Sequence, residues 1–146
     1  MGAISGTQTI EIDASPEELF AIVTDLESYP DWVDGMKDVD VLGTDDNDLP
    51  LRSTMTLDVT IRTVTYTLSY EYDYPTSVAW TSEEGGDIKR IDGSYTFEQA
   101  AEDEPTTVTY ELTIDPGFPV PGFMIRKAQK AIMNAALKGL KSQAEG

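Results

Sequence analysis

Thr7-Gln8-Thr9-Ile10-Glu11-Ile12-Asp13-Ala14-Ser15-Pro16-Glu17-Glu18-Leu19-Phe20 runs from a strand straight into a capped helix. Ser15 is a natural N-cap, Pro16 suits the first helical position, and Glu18 follows the cap by three residues, as a capping box requires. Leu19, Phe20, Ile22 and Val23 then give the helix one apolar side. Further on, Asp25-Leu26-Glu27-Ser28-Tyr29-Pro30-Asp31-Trp32 predicts a second short helix, and a return strand follows it up to Leu42.

Outward from this segment the chain turns to strands. Met55, Leu57, Val59 and Ile61 alternate with Thr56, Asp58 and Thr60, a period of two. Val64, Tyr66, Leu68, Tyr70 and Tyr72 share the apolar face of the next run, so the parity changes near Arg62-Thr63 and a tight turn or bulge is expected there. Val78-Ala79-Trp80-Thr81 reads as a short strand that turns at Glu84-Gly85-Gly86-Asp87. The strand after it places Ile91, Gly93, Tyr95 and Phe97 on one side, with Gly93 marking a bend or a close backbone approach. Val108, Tyr110, Leu112 and Ile114 alternate in the last strand.

Asp115-Pro116-Gly117-Phe118-Pro119-Val120-Pro121-Gly122 ends the strands abruptly. From about Phe123 to Gln143 the period becomes helical, and Met124, Ala128, Ala131, Ile132, Ala135 and Gly139 are read as one face. At 1.5 Å per residue this is a helix of roughly 30 Å. About seven antiparallel strands leave one apolar face to be covered, and this helix is the available cover. The expected architecture is α+β: one domain over residues 1–146, a curved antiparallel sheet around a long C-terminal helix, with two short helices after the first strand.

The order strand, two short helices, six strands, long helix resembles the helix-grip fold of the polyketide cyclase/dehydrase and lipid-transfer (START-like, SRPBCC) superfamily. "Ala-Ser-Pro-Glu-Glu-Leu-Phe" followed by "Asp-x-x-x-Tyr-Pro-x-Trp" resembles its opening. The closing "Asp-Pro-Gly-Phe-Pro-Val-Pro-Gly-Phe-Met-Ile-Arg-Lys-Ala" looks like small actinobacterial cyclase/dehydrase-like proteins. The resemblance implies a binder of lipids, polyketides, quinones or other apolar molecules, held between sheet and long helix. It leaves two alternatives: an aromatase/cyclase-type enzyme acting on a polyketide, and a ligand-free interaction module.

Composition narrows the chemistry. The 146 residues contain no His and no Cys, so a Ser-His-Asp triad, a Cys-His pair and ordinary zinc sites have no ligands. No metal, cofactor or catalytic residue is expected. Asp45-Asp46-Asn47-Asp48 lacks the Gly and bidentate Glu of an EF-hand loop, and a solvated acidic hairpin is the reading. The net charge is −17, and all of the excess lies before Phe118: 26 acids and 5 bases precede it, 1 acid and 5 bases follow. Such an acidic body repels nucleic acid. There is no apolar run of membrane-spanning length and no basic leader at Met1, so a cytoplasmic chain without stable membrane insertion is expected.

The candidate ligand-binding residues are Trp32, Leu57, Tyr66, Leu68, Tyr70, Tyr95, Tyr110, Met124, Ala128 and Ile132. Alternation puts the strand residues on the covered face, and the small helix residues leave room above it. Pattern alone leaves open whether that room is a pocket or a packed core; the resemblance favours a pocket. A cluster of Tyr66, Tyr70 and Tyr110 offers hydroxyls to a carbonyl or quinone oxygen, although buried tyrosines also bond backbone or water. Trp32 matches the superfamily's aromatic near the tunnel mouth, where packing is also an adequate reason for it. Trp80, beside Val78, is read as core. Strict alternation puts Arg90 and Asp92 on the outer face; a bulge near Gly93 would be needed to turn them inward as an acid–base pair. Arg126, Lys127, Lys130, Lys138 and Lys141 lie off the apolar helix face and balance the acidic body.

Overall fold

The edge strand β1 (Ile4–Ile12) pairs antiparallel with β7 (Thr106–Asp115) along its whole length, from Ile4 opposite Ile114 to Ile12 opposite Thr106. The chain then leaves the sheet through α1 (Pro16–Thr24), a 3-10 turn (Leu26–Ser28) and α2 (Tyr29–Trp32), and re-enters it as β2 (Met36–Val41). Strands β3 (Arg52–Asp58), β4 (Thr63–Asp73), β5 (Ser77–Ser82) and β6 (Arg90–Gln99) follow as antiparallel neighbours. The seven-stranded order is β1-β7-β6-β5-β4-β3-β2, so the two short helices carry the chain from one edge of the sheet to the other. This computed structural model describes residues 3–58 and 62–146. Asp58 pairs directly with Thr63 across β3 and β4; the residues just before the expected turn at Arg62-Thr63, with Val59 and Ile61 that were read as strand, fall outside the described residues.

Local chemistry places these elements. Ser15 Oγ accepts the Glu18 N–H at 3.1 Å, the N-cap bond expected of it. The Glu18 carboxylate accepts from the Ser15 hydroxyl rather than from the Ser15 backbone, so the box closes side chain to side chain. Leu19, Phe20 and Val23 are buried on the inner side of α1. The acidic loop is a turn of its own making, because Asp45 Oδ1 accepts the N–H groups of Asn47 and Leu49.

The long helix α3 (Gly122–Glu145) covers the sheet in the helix-grip arrangement. Its packing is one-sided: it rests on β1, β7, α1 and α2 rather than on the middle strands. The row Ile125, Gln129, Met133 and Leu137, spaced by four, is buried with Leu140. Gln129 is the anchor. It is 4% exposed, and its Nε2 donates to Ile4 O at 2.8 Å and Leu112 O at 2.7 Å, tying the helix across β1 and β7.

This corrects the helix face read from sequence. Ala131 is exposed and Ala135 and Gly139 are only half-buried, while the buried side is turned toward Ile125, Gln129 and Met133. A glutamine whose amide finds two backbone carbonyls costs little to bury, and its polar letter concealed the row to which it belongs. At Gly139 the helix meets α2 so closely that a Cβ would stand 2.5 Å from the Trp32 carbonyl oxygen. Among the described residues no helix is long and apolar enough to cross a membrane.

Candidate functional site

Because α3 leans toward the β1–β7 edge, its other side row, Ala128, Ile132 and Ala136, does not close onto the middle strands. A cavity of about 120 Å³ remains there. Its floor comes from β3 and β4 through Leu57, Tyr66, Leu68 and Tyr70, and from β6 and β7 through Tyr95 and Tyr110. Strict alternation brings these six side chains to one face, and Ala128 and Ile132 supply the roof. Buried Val33 also lines the space, and exposed Asp34 with half-buried Phe118 and Val120 make its rim.

Two candidates lie elsewhere. Met124 does not line the cavity; α3 starts at Gly122, and the phase this sets turns Ile125 inward instead. Trp32 is also outside the lining. Its ring packs edge-on against Tyr29 at 5.1 Å and beneath Gly139, so its visible role is to seat α3 on α2.

Trp80 and Tyr29, which the sequence reading did not assign to the site, both line the cavity. Trp80 pairs with Gly93 across β5 and β6, and a Cβ on Gly93 would meet the indole Nε1, Cε2 and Cζ2 at 2.5–2.6 Å. Glycine there lets the indole lie against the β6 backbone and join the aromatic wall. Trp80 sits 5.4 Å from Tyr95 and 5.8 Å from Tyr110, and those two tyrosines are 4.7 Å apart. The odd glycine in β6 was the available sign; its cross-strand partner needed the register.

The cavity phenols differ in their bonding. Tyr29 OH donates to Val23 O, and Tyr70 OH shares a 2.9 Å bond with Ser53, which is wholly buried. Tyr66, Tyr95 and Tyr110 are 7%, 3% and 5% exposed, yet their hydroxyls have no hydrogen-bond partner among the described residues. None of the three hydroxyls is sealed inside protein either, because no buried side-chain oxygen or nitrogen among the described residues is left unpaired. All three residues line the cavity, so a molecule held there is the partner within reach of an accessible, unpartnered hydroxyl. Burial raises all three phenol pKa values above the ordinary value, and for Tyr110 the neighbouring phenols add to it.

This difference gives a measurable contrast. Tyr70→Phe strands the buried Ser53 hydroxyl and is expected to cost about 1–3 kcal/mol. Tyr95→Phe removes no protein hydrogen bond and is expected to stay within about 0.5 kcal/mol of the parent. Urea unfolding of both variants checks this, and equal losses would contradict the bonding pattern.

Outside the cavity, Arg90 and Asp92 pair on the outer face of β6, where Asp92 also accepts from Thr81. On the outer face of β3, β4 and β5 the Arg52 guanidinium and the Ser69 hydroxyl hold the Glu83 carboxyl down to about 2. Lys141 bonds Glu145 and the Glu11 carbonyl, so this part of the basic helix is engaged with the acidic body.

The chain belongs to the polyketide cyclase/dehydrase and lipid transport family, whose profile matches residues 3–145. No curated protein matches it in sequence. Among solved structures it resembles a START superfamily protein from Mycobacterium smegmatis (20% identity, 97% of each chain, TM-score 0.85). It also resembles the Zhui aromatase/cyclase from Streptomyces sp. R1128 (15% identity, 98% of this chain and 94% of that one, TM-score 0.83). A protein from Thermus thermophilus is similar over 97% of both chains at 23% identity, with a TM-score of 0.78. At these identities the likeness is one of fold.

Proposed function

We propose that this protein binds a small hydrophobic molecule non-covalently in the cavity between the sheet and α3. The observation that carries the reading is an unfilled, aromatic-walled space at the centre of an otherwise packed core, with partnerless hydroxyls opening into it. A core built only for stability fills such space, since every void forfeits packing and each buried hydroxyl wants a partner. Membership of a family described by lipid transport as well as cyclisation supports the same reading. A cyclase-type reaction is less well supported. Asp34, the acid on the lining, is exposed at the mouth, and Arg90 and Asp92 are spent on the outer face.

Native mass spectrometry tests the proposal. Protein prepared from its own cells without detergent is expected to carry an adduct of discrete mass that solvent extraction removes. Bare protein that also takes up nothing from a neutral lipid extract of those cells would sink the reading.

A further inference from the structure

The lining of the cavity bears on the charge of its occupant, and the argument rests on the binding proposed above. We infer that the cavity selects a neutral molecule carrying a hydrogen-bonding oxygen, read by the hydroxyls of Tyr66, Tyr95 and Tyr110, and rejects the corresponding carboxylate. Among the described residues no lysine or arginine lines the space, and the sequence has no histidine. A carboxylate taken into it would lose its hydration and find no counter-charge, only phenol donors. The walls add to the penalty, because aromatic faces such as those of Trp80, Tyr95 and Tyr110 carry partial negative charge. Asp34 stands at the mouth of a protein with net charge −17; Lys138, on the groove that adjoins the mouth, is exposed to solvent and does not line the cavity. Arg62 reaches only the rim, its guanidinium held 4.9 Å above the Phe118 ring, and is not part of the lining.

A plain hydrocarbon meets the opposite difficulty. It would bury Tyr66, Tyr95 and Tyr110 hydroxyls that have no partner among the described residues and expel whatever solvent serves them. A ketone, quinone, ester or alcohol oxygen placed among them satisfies that need. Tyr70 takes no part, being bonded to Ser53.

Three probes of one shape separate these cases: naphthalene, 2-acetylnaphthalene and 2-naphthoate, each titrated calorimetrically at pH 7. The ketone is expected to bind roughly tenfold tighter than the hydrocarbon, the worth of one good hydrogen bond. The carboxylate is expected to bind on the order of a hundredfold more weakly than the ketone. In the Tyr66→Phe/Tyr95→Phe/Tyr110→Phe variant the ketone-to-hydrocarbon ratio should fall to about one; single Tyr95→Phe, which keeps every protein hydrogen bond, should lower it part of the way. Equal binding of the three probes, or tighter binding of the carboxylate, would overturn the inference and leave the cavity reading standing. Binding of none of them would overturn both.

Discussion

A chain ending at Gly117 is expected to lose its cooperative unfolding transition altogether. The helix it lacks buries Ile125, Met133, Leu137 and Leu140 against the sheet and α1. At about 1.5–3 kcal/mol for each large apolar side chain, their burial contributes roughly 10 kcal/mol, as much as a whole domain's net stability. Removing Gln129 also leaves the Ile4 and Leu112 carbonyls without its two bonds. Among the described residues no other helix is long enough to span the concave face. Circular dichroism on heating should show a shallow, non-cooperative change; a native-like melt from the shortened chain would contradict the helix-grip packing.

Gly139→Leu is expected to cost about 3 kcal/mol or more, the upper end of overpacking. The nearest atom to its new Cβ is the Trp32 carbonyl oxygen at 2.5 Å, followed by the Trp32 ring at 2.7 Å. Backbone cannot swing aside as a flexible side chain can, so α3 must lift from α2 and drag Leu140, which is wholly buried. Gly139→Ala supplies the sharper sign. In an open mid-helix position it would stabilise by about 0.5–1 kcal/mol. Here the clash should outweigh that gain and leave the variant less stable than the parent. Denaturant unfolding of both variants checks the close approach, and a Gly139→Ala variant more stable than the parent would contradict it.

The fold was legible because its signals are local. Ser15, Pro16 and Glu18 mark one helix start, and Asp115 to Gly122 marks the passage from sheet to helix. Period-two patterns set the strand faces, which is why Leu57, Tyr66, Leu68, Tyr70, Tyr95 and Tyr110 could be read onto one face, the face that lines the cavity. The helix side of the site was less legible. Its buried row passes through Gln129, and a reading that counts apolar letters steps past it to Met124, Ala131 and Ala135.

Trp80 was missed for a different reason. Its place on the cavity wall depends on standing opposite Gly93, and strand register is a tertiary fact that neither strand carries alone. The choice among tyrosines also needed the structure. Tyr70 looks like Tyr66, Tyr95 and Tyr110 in the sequence, and only the buried Ser53 across β3 and β4 takes its hydroxyl out of use.

Whether the space beneath Ala128 is a pocket or a core decides whether this protein binds an apolar molecule there. Ala128 is 9% exposed and on the row that roofs the cavity, so Ala128→Phe sends a ring into it. The deciding measurement is the fluorescence titration of N-phenyl-1-naphthylamine, a neutral apolar probe, run on parent and variant alongside their thermal melts. The parent should show saturable, one-to-one enhancement, and the variant should lose it while its Tm moves by less than about 4 °C, the equivalent of about 1 kcal/mol. A parent that takes up no probe, together with a variant destabilised by about 3 kcal/mol from overpacking, would mean a solid core and end the binding account.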